Sequence, residues 1–206
     1  MTRLIIARHG NTFGPHDVVR RVGITDLPLV AEGLLQGQRL GMALQQNQWI
    51  PDVIFTSKLQ RTIQTAQEAQ RMMNTNLLMH SLAEFNEIDY GPDEHQPESM
   101  VKLRLGEKAL LAWENKAIVP PDWRVSPAQI IRQWQVFAQS IVEKYAGKTI
   151  LVVTSNGIAR FAPFLTGDFE GFCNQHSIKL STGAFGVFQF SPASDSWQCL
   201  DWNRRV

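Results

Sequence analysis

Three short stretches of this chain carry residues able to move a phosphoryl group. Arg8-His9-Gly10 sets an imidazole beside a guanidinium, Arg61 adds a second guanidinium, and Thr154-Ser155-Asn156-Gly157 offers hydroxyl, amide and backbone donors. A neutral imidazole attacks phosphorus and holds the group as a phosphoramidate until water removes it. Guanidinium forks bind the phosphoryl oxygens and take up the charge that grows on them in the transition state. The departing oxygen also needs a proton, for which FNEIDYG (85–91) supplies Glu87 and Asp89. A carboxyl group beside bound phosphate is disfavoured as an anion, which leaves it a proton to donate near neutral pH. On residue type alone either carboxylate serves, and either reads equally as a solvated loop residue. His9 taken singly reads as a hydrogen-bonded strand-end histidine; its arginine neighbours make it a nucleophile.

The elements that must position these groups follow from apolar patterning. LIIA (4–7), DVIF (52–55) and TILVV (149–153) are unbroken apolar runs, as expected of strands covered on both faces, and the aromatic-rich AFGVFQF (184–190) reads as a strand nearer an edge. Longer helical patterns alternate with them, which gives a doubly wound, mostly parallel sheet. Ser57-Lys58-Leu59-Gln60 has the form of a capping box opening a helix to about Met73, with Arg61 in its first turn. Ser126-Pro127-Ala128-Gln129 repeats the device, and Ile130, Trp134, Phe137, Ile141 and Tyr145 then line one face. A further helix spans about Glu32 to Gln46. The polar sets therefore lie beyond the carboxyl ends of strands, the edge where open α/β sheets bind ligands, and two of them enter helix N-termini that favour an anion.

The 206 residues, 44% of them hydrophobic, suit a single domain over 1–206. The stretch Gly91 to Val125 holds Pro92, Pro97, Pro120 and Pro121 around a short helix near Met100 to Asn115, and reads as a cap insertion over 92–125. With 20 Lys and Arg against 19 Asp and Glu, the net charge of +1 argues against nucleic acid or an anionic membrane as partner. The start of the chain has no apolar segment long enough for a signal peptide or membrane span, so a cytoplasmic protein is expected. Cys173 and Cys199 form no CxxC pair, and PDEHQPE has no metal-ligand spacing, so they read as core thiols and no metal is expected.

In order and separation, ARHGNT (7–12), TDLPLVAEGLLQG (25–37), TSKLQRTIQTA (56–66), EIDYG (87–91) and VVTSNGIAR (152–160) resemble the histidine phosphatase superfamily, also called the phosphoglycerate mutase-like fold. The resemblance implies a three-layer α/β/α sandwich. It implies His9 as the phosphorylated nucleophile, Arg8 and Arg61 as phosphate ligands and Glu87 as proton donor, with no metal or cofactor. The implied ligand is a small phosphoester or phosphate, bound by Arg8, Arg61, Thr12, Ser155 and Asn156. Two departures stand out: Ser155 occupies the place of the family's second histidine, with Asn156 where glycine usually follows, and Pro15 stands where many members have an asparagine ligand. Losing one such donor costs on the order of 10²–10³ in rate, so a working phosphatase of lowered activity is expected. The alternatives are a pseudoenzyme that binds a phosphorylated ligand without turnover, and a phosphoglycerate mutase. His16, His95, Arg20 and Arg21 either compensate from nearby loops or are surface residues. Lys102, Arg104, Lys108, Trp113 and Trp123 either meet a second group of the substrate or are exposed cations and packed tryptophans.

Overall fold

A computed structural model describes residues 1–205. Its single sheet has six strands: β1 (Thr2–Arg8), β2 (Val53–Thr56), β3 (Met79–Ser81), β4 (Thr149–Thr154), β5 (Phe185–Ser191) and β6 (Ser196–Arg204). The spatial order is β3-β2-β4-β1-β5-β6, with the first four parallel and β5 and β6 antiparallel to their neighbours. AFGVFQF falls on β5, next to the edge strand β6, whose mixture of buried and exposed residues lacks a continuous apolar run; the other edge is β3. β3, only three residues and none of them buried, gives no apolar signal either.

Side chains of successive strand residues leave opposite faces of the sheet, and both faces are covered. Ile5, Ala7, Ile54, Leu151 and Val153 pack with Leu40 and Leu44 of α1 (Ala31–Gln46) and Ala66 and Ala69 of α2 (Gln60–Met72). Leu4, Ile6, Val53, Phe55, Ile150 and Val152 pack on the other side with Ile130, Trp134, Phe137 and Ile141 of α4 (Pro127–Lys144). The result is a three-layer α/β/α sandwich.

The start of α4 is the one expected: Ser126 is the N-cap, its side chain accepts from the Gln129 amide, and Pro127 sits at the first helical position. The start of α2 is not. The helix begins at Gln60, and Ser57 Oγ accepts from the Leu59 amide and pairs with Thr62 instead of closing a capping box. Asp26, distant in sequence, supplies the cap by accepting from the Gln60 amide at 2.7 Å and from its side chain at 3.3 Å. Residues 92–125 contain α3 (Glu98–Lys116), which is broken at Gly106, where φ 76° and ψ 159° lie in a region open essentially to glycine alone. Trp113 and Trp123 from this segment are buried in the main core, and Arg104 is ion-paired with Asp93 and Asp122. Cys173 and Cys199 are half-buried free thiols packed against the same core. No helix among the described residues is long and apolar enough to cross a membrane.

Candidate active site

Strand register brings the polar stretches together. β1 pairs with β4 so that Arg8 stands opposite Thr154, and the His9 amide donates to the Thr154 carbonyl at 3.0 Å, which sets His9 alongside Ser155. On the other side of β4 the Ser57 amide donates to the Val153 carbonyl, drawing in the turn before α2. Thr154 Oγ1 in turn donates to the Phe85 carbonyl at 2.8 Å, which ties the Glu87 segment to the same sheet edge. The chain beyond His9 is held close because Gly10 has no side chain: a Cβ there would lie 2.7 Å from Gly33 Cα of α1.

A cavity of about 380 Å³ opens at this edge, and Arg8, His9, Thr12, Arg61, Glu87 and Asn156 all line it. His9 is buried, and its Nδ1 lies 2.7 Å from the Gly10 carbonyl oxygen. That oxygen can only accept, so Nδ1 carries the proton and the Nε2 lone pair is left free. Burial, reinforced by the Arg61 and Arg8 charges, holds the His9 imidazole well below its ordinary range, so it is neutral at pH 7. Arg61, 1% exposed, is fixed in the first turn of α2 by donating to the Thr25 and Gly23 carbonyls at 2.7 and 2.6 Å. Arg8 donates to the Leu180 carbonyl at 2.9 Å. Desolvation lowers the pKa of both guanidiniums, partly offset by Glu87.

Glu87 is buried at the cavity wall, where one carboxyl oxygen accepts from the Ile88 amide at 2.9 Å and the other from the Gly157 amide at 3.0 Å. Asp89, the other carboxylate of the same stretch, is turned to other work: it accepts from the Gly91 amide and pairs with Arg124. Asn156 opens α5 (Asn156–Ala159), and its side-chain oxygen accepts from the Leu180 amide at 2.9 Å. Ser155 is not among the residues lining the cavity. It is fully buried, and its Oγ has no hydrogen-bond partner among the described residues.

Arg20 and Arg21 also line the cavity, whereas His16 and His95 are exposed and do not. Arg21 is paired with Glu98 at 2.6 Å and lies over the rings of Tyr90 and Trp123. From the 92–125 segment the wall residues are Glu98 and Glu114, and Lys102, Arg104, Lys108, Trp113 and Trp123 are not among them. Tyr90, Arg160 and Lys179 are among the wall residues that residue type and spacing do not single out. Tyr90 is buried, and burial together with the Glu87 charge pushes its phenol up, so it keeps its proton. Arg160 closes the stretch VVTSNGIAR, but nothing in residue type or spacing there marks it as a wall residue.

The family model of the histidine phosphatase superfamily (branch 1) matches residues 4–205. A 2,3-bisphosphoglycerate-dependent phosphoglycerate mutase of Rhizobium etli is 29% identical over 163 residues, 78% of each chain. One of Mycobacterium bovis is 26% identical over 172 residues, 82% of this chain but 66% of that protein. Among solved structures, mycobacterial glucosyl-3-phosphoglycerate phosphatase superposes with a TM-score of 0.80 at 19% identity, covering 99% of both chains. The alpha-ribazole phosphatase of Shigella flexneri gives 0.74 at 20% identity, covering 99% and 97%. These likenesses in structure are likenesses of fold.

Proposed function

This chain belongs to branch 1 of the histidine phosphatase superfamily, and from that premise we propose that it hydrolyses a phosphomonoester through a phosphohistidine on His9. The observation that carries this reading is the state of His9: buried, neutral, with Nδ1 committed to the Gly10 carbonyl and Nε2 free in a cavity it shares with two arginines and a carboxyl group. Nε2 attacks phosphorus as the bond to the ester oxygen breaks, and Glu87 gives that oxygen its proton. A water then attacks the phosphohistidine, the Glu87 carboxylate takes its proton, and the P–N bond breaks to release phosphate and neutral His9. Arg8 and Arg61 hold the phosphoryl oxygens throughout, with Thr12 and Asn156 as neutral donors at the wall. In this reading Ser155 stands where relatives carry a second histidine, and residues 92–125 form the cap that contributes Glu98 and Glu114 to the entrance.

The named activity of the curated relatives favours a second reading, transfer of the phosphoryl group within phosphoglycerate. One assay separates the two. The native chain, His9→Ala and Glu87→Gln are given p-nitrophenyl phosphate, a panel of natural phosphoesters and 3-phosphoglycerate. Phosphate release abolished by His9→Ala and slowed by Glu87→Gln supports the phosphatase. Isomerisation of phosphoglycerate without phosphate release supports the mutase, and phosphate binding with neither reaction supports the pseudoenzyme.

A further inference from the structure

Two cations of the cavity wall have an acidic partner: Arg21 has Glu98 at 2.6 Å and Lys179 has Glu114 at 3.0 Å. Arg8, Arg20, Arg61 and Arg160 line the same cavity and take part in no ion pair among the described residues. Arg61 and Arg160 are each only 1% exposed. A buried charge without a counter-ion is strongly unfavourable, and a bound anion removes that penalty. For Arg8 and Arg61 the anion is the phosphoryl group of the proposed reaction; the same physical argument applies to Arg160, as deeply buried as Arg61.

We infer that Arg160 is a phosphoryl-binding residue, and that its guanidinium restores to this cavity the positive charge that Ser155 cannot provide. The inference rests on the phosphate-binding reading of the cavity and not on turnover. Arg160 has five N–H donors. Nε donates to the Asn156 carbonyl at 3.2 Å and Nη1 to the Trp113 carbonyl at 2.6 Å, which leaves the second Nη1 hydrogen and both on Nη2. The guanidinium also lies over the Trp113 ring at 3.9 Å from its centroid, so its plane is fixed before any ligand arrives. Besides burial, Tyr90, Glu114 and Glu87 favour its charged form and Arg8 opposes it, so it lies within electrostatic reach of the reacting groups, although neither carboxylate pairs with it directly. Burial brings its pKa down to about 10, so it is still charged at neutral pH. The residues that hold it also explain a role for the cap: Trp113 belongs to α3, so the cap helix fixes a phosphate ligand without touching the phosphate.

The competing account is that Arg160 only fastens α5 to the cap. The two are separated by titrating inorganic phosphate and vanadate at pH 7 into the native chain, Arg160→Gln and Arg160→Lys, alongside melting temperatures without ligand. The inference predicts roughly 10- to 100-fold weaker anion binding by Arg160→Gln, with Arg160→Lys intermediate. Unchanged anion affinity in Arg160→Gln with a lowered melting temperature overturns it, as does a native chain that binds neither anion. Should Arg160→Gln fail to fold, the native chain decides: the ring-shifted guanidinium nitrogen resonance that is missing from Arg160→Lys must move on phosphate addition, and a resonance that stays put at saturation overturns the inference. A native chain that binds phosphate through Arg160 yet hydrolyses no ester refutes the phosphatase and leaves this inference standing.

Discussion

Gly157→Ala should disable proton donation, slowing phosphoryl transfer to His9 from alkyl esters while sparing esters whose leaving group departs without a proton. A Cβ on Gly157 would stand 3.0 Å from Glu87 Cδ and 3.0 Å from Ile88 Cγ1, and would overlap Glu87 Oε1. Carbon atoms pack at roughly 3.5–4.0 Å, so the carboxyl carbon must retreat by about 0.5–1 Å and the oxygen further. The retreat strains or breaks the bond from the Gly157 amide, and a buried donor left unpaired costs about 1–3 kcal/mol. Alanine in place of glycine in a helix returns up to about 1 kcal/mol, and Gly157 lies within α5. The net loss of about 1–2 kcal/mol lowers Tm by only a few degrees, roughly 2–8 °C for a chain of this size. The chemistry suffers more, since a misplacement near 1 Å costs about 10²-fold. The effect must depend on the leaving group. An alkoxide needs the Glu87 proton, whereas p-nitrophenolate departs as a stable anion. The assay is the pre-steady-state burst, which isolates cleavage of the ester bond from later hydrolysis of the phosphoenzyme. About a hundredfold fall for an alkyl phosphate, with a much smaller fall for p-nitrophenyl phosphate, is expected. Equal changes for the two esters in a folded variant would refute Glu87 as the donor held by the Gly157 amide.

Stability should fall in mild acid because of His9. The unfolded chain takes up a proton below about pH 6.5 while burial and the Arg61 and Arg8 charges keep folded His9 neutral, so its contribution is complete above 6.5 and is lost as pH falls towards the depressed folded value. Urea midpoints at pH 7.5, 6.5 and 5.5 should drop more steeply for the native chain than for His9→Asn, and parallel profiles contradict the assignment. Asp93 is 2% exposed; burial pushes its carboxyl up, but the Arg104 and Trp123 hydrogen bonds outweigh this and hold it below the usual carboxylate range. Asp93→Ala should cost about 2–3 kcal/mol in chemical denaturation, less than a fully buried pair because a third of the Arg104 side chain is exposed; a loss below about 1 kcal/mol shows the pair to be inert. Asp26→Ala removes the cap of α2 and should cost about 1 kcal/mol. Since α2 carries Arg61, this variant should also bind phosphate more weakly, and unchanged affinity means that Arg61 is held without that cap.

Much of this architecture was legible because its physical causes are local. Unbroken apolar runs marked β1, β2 and β4, and the serine-proline start of α4 is complete within four residues. The strands that escaped notice have no such run, and the true cap of α2 escaped because Asp26 lies far from Gln60 in sequence. The same division runs through the site. Arg8, His9, Arg61 and Glu87 stand in short patterns whose chemistry can be reasoned from residue type, and all of them line the cavity. Arg160 is legible only from the fold, since its significance is the absence of a counter-ion inside a wall built by α3, α5 and β1. Lys102, Arg104 and Lys108 illustrate the converse: charge in a cap segment does not say which way it faces, and Arg104 is spent on Asp93 and Asp122.

The most direct test of the central claim is to trap the phosphoenzyme. The native chain is mixed with an excess of phosphoester, quenched in alkali within the first turnover, digested and analysed by mass spectrometry. The account predicts an acid-labile, alkali-stable phosphoryl group on the peptide containing His9, absent from His9→Ala, which should also show no turnover. Hydrolysis that persists in His9→Ala, or turnover by the native chain with no phosphoryl group ever found on His9, would contradict it.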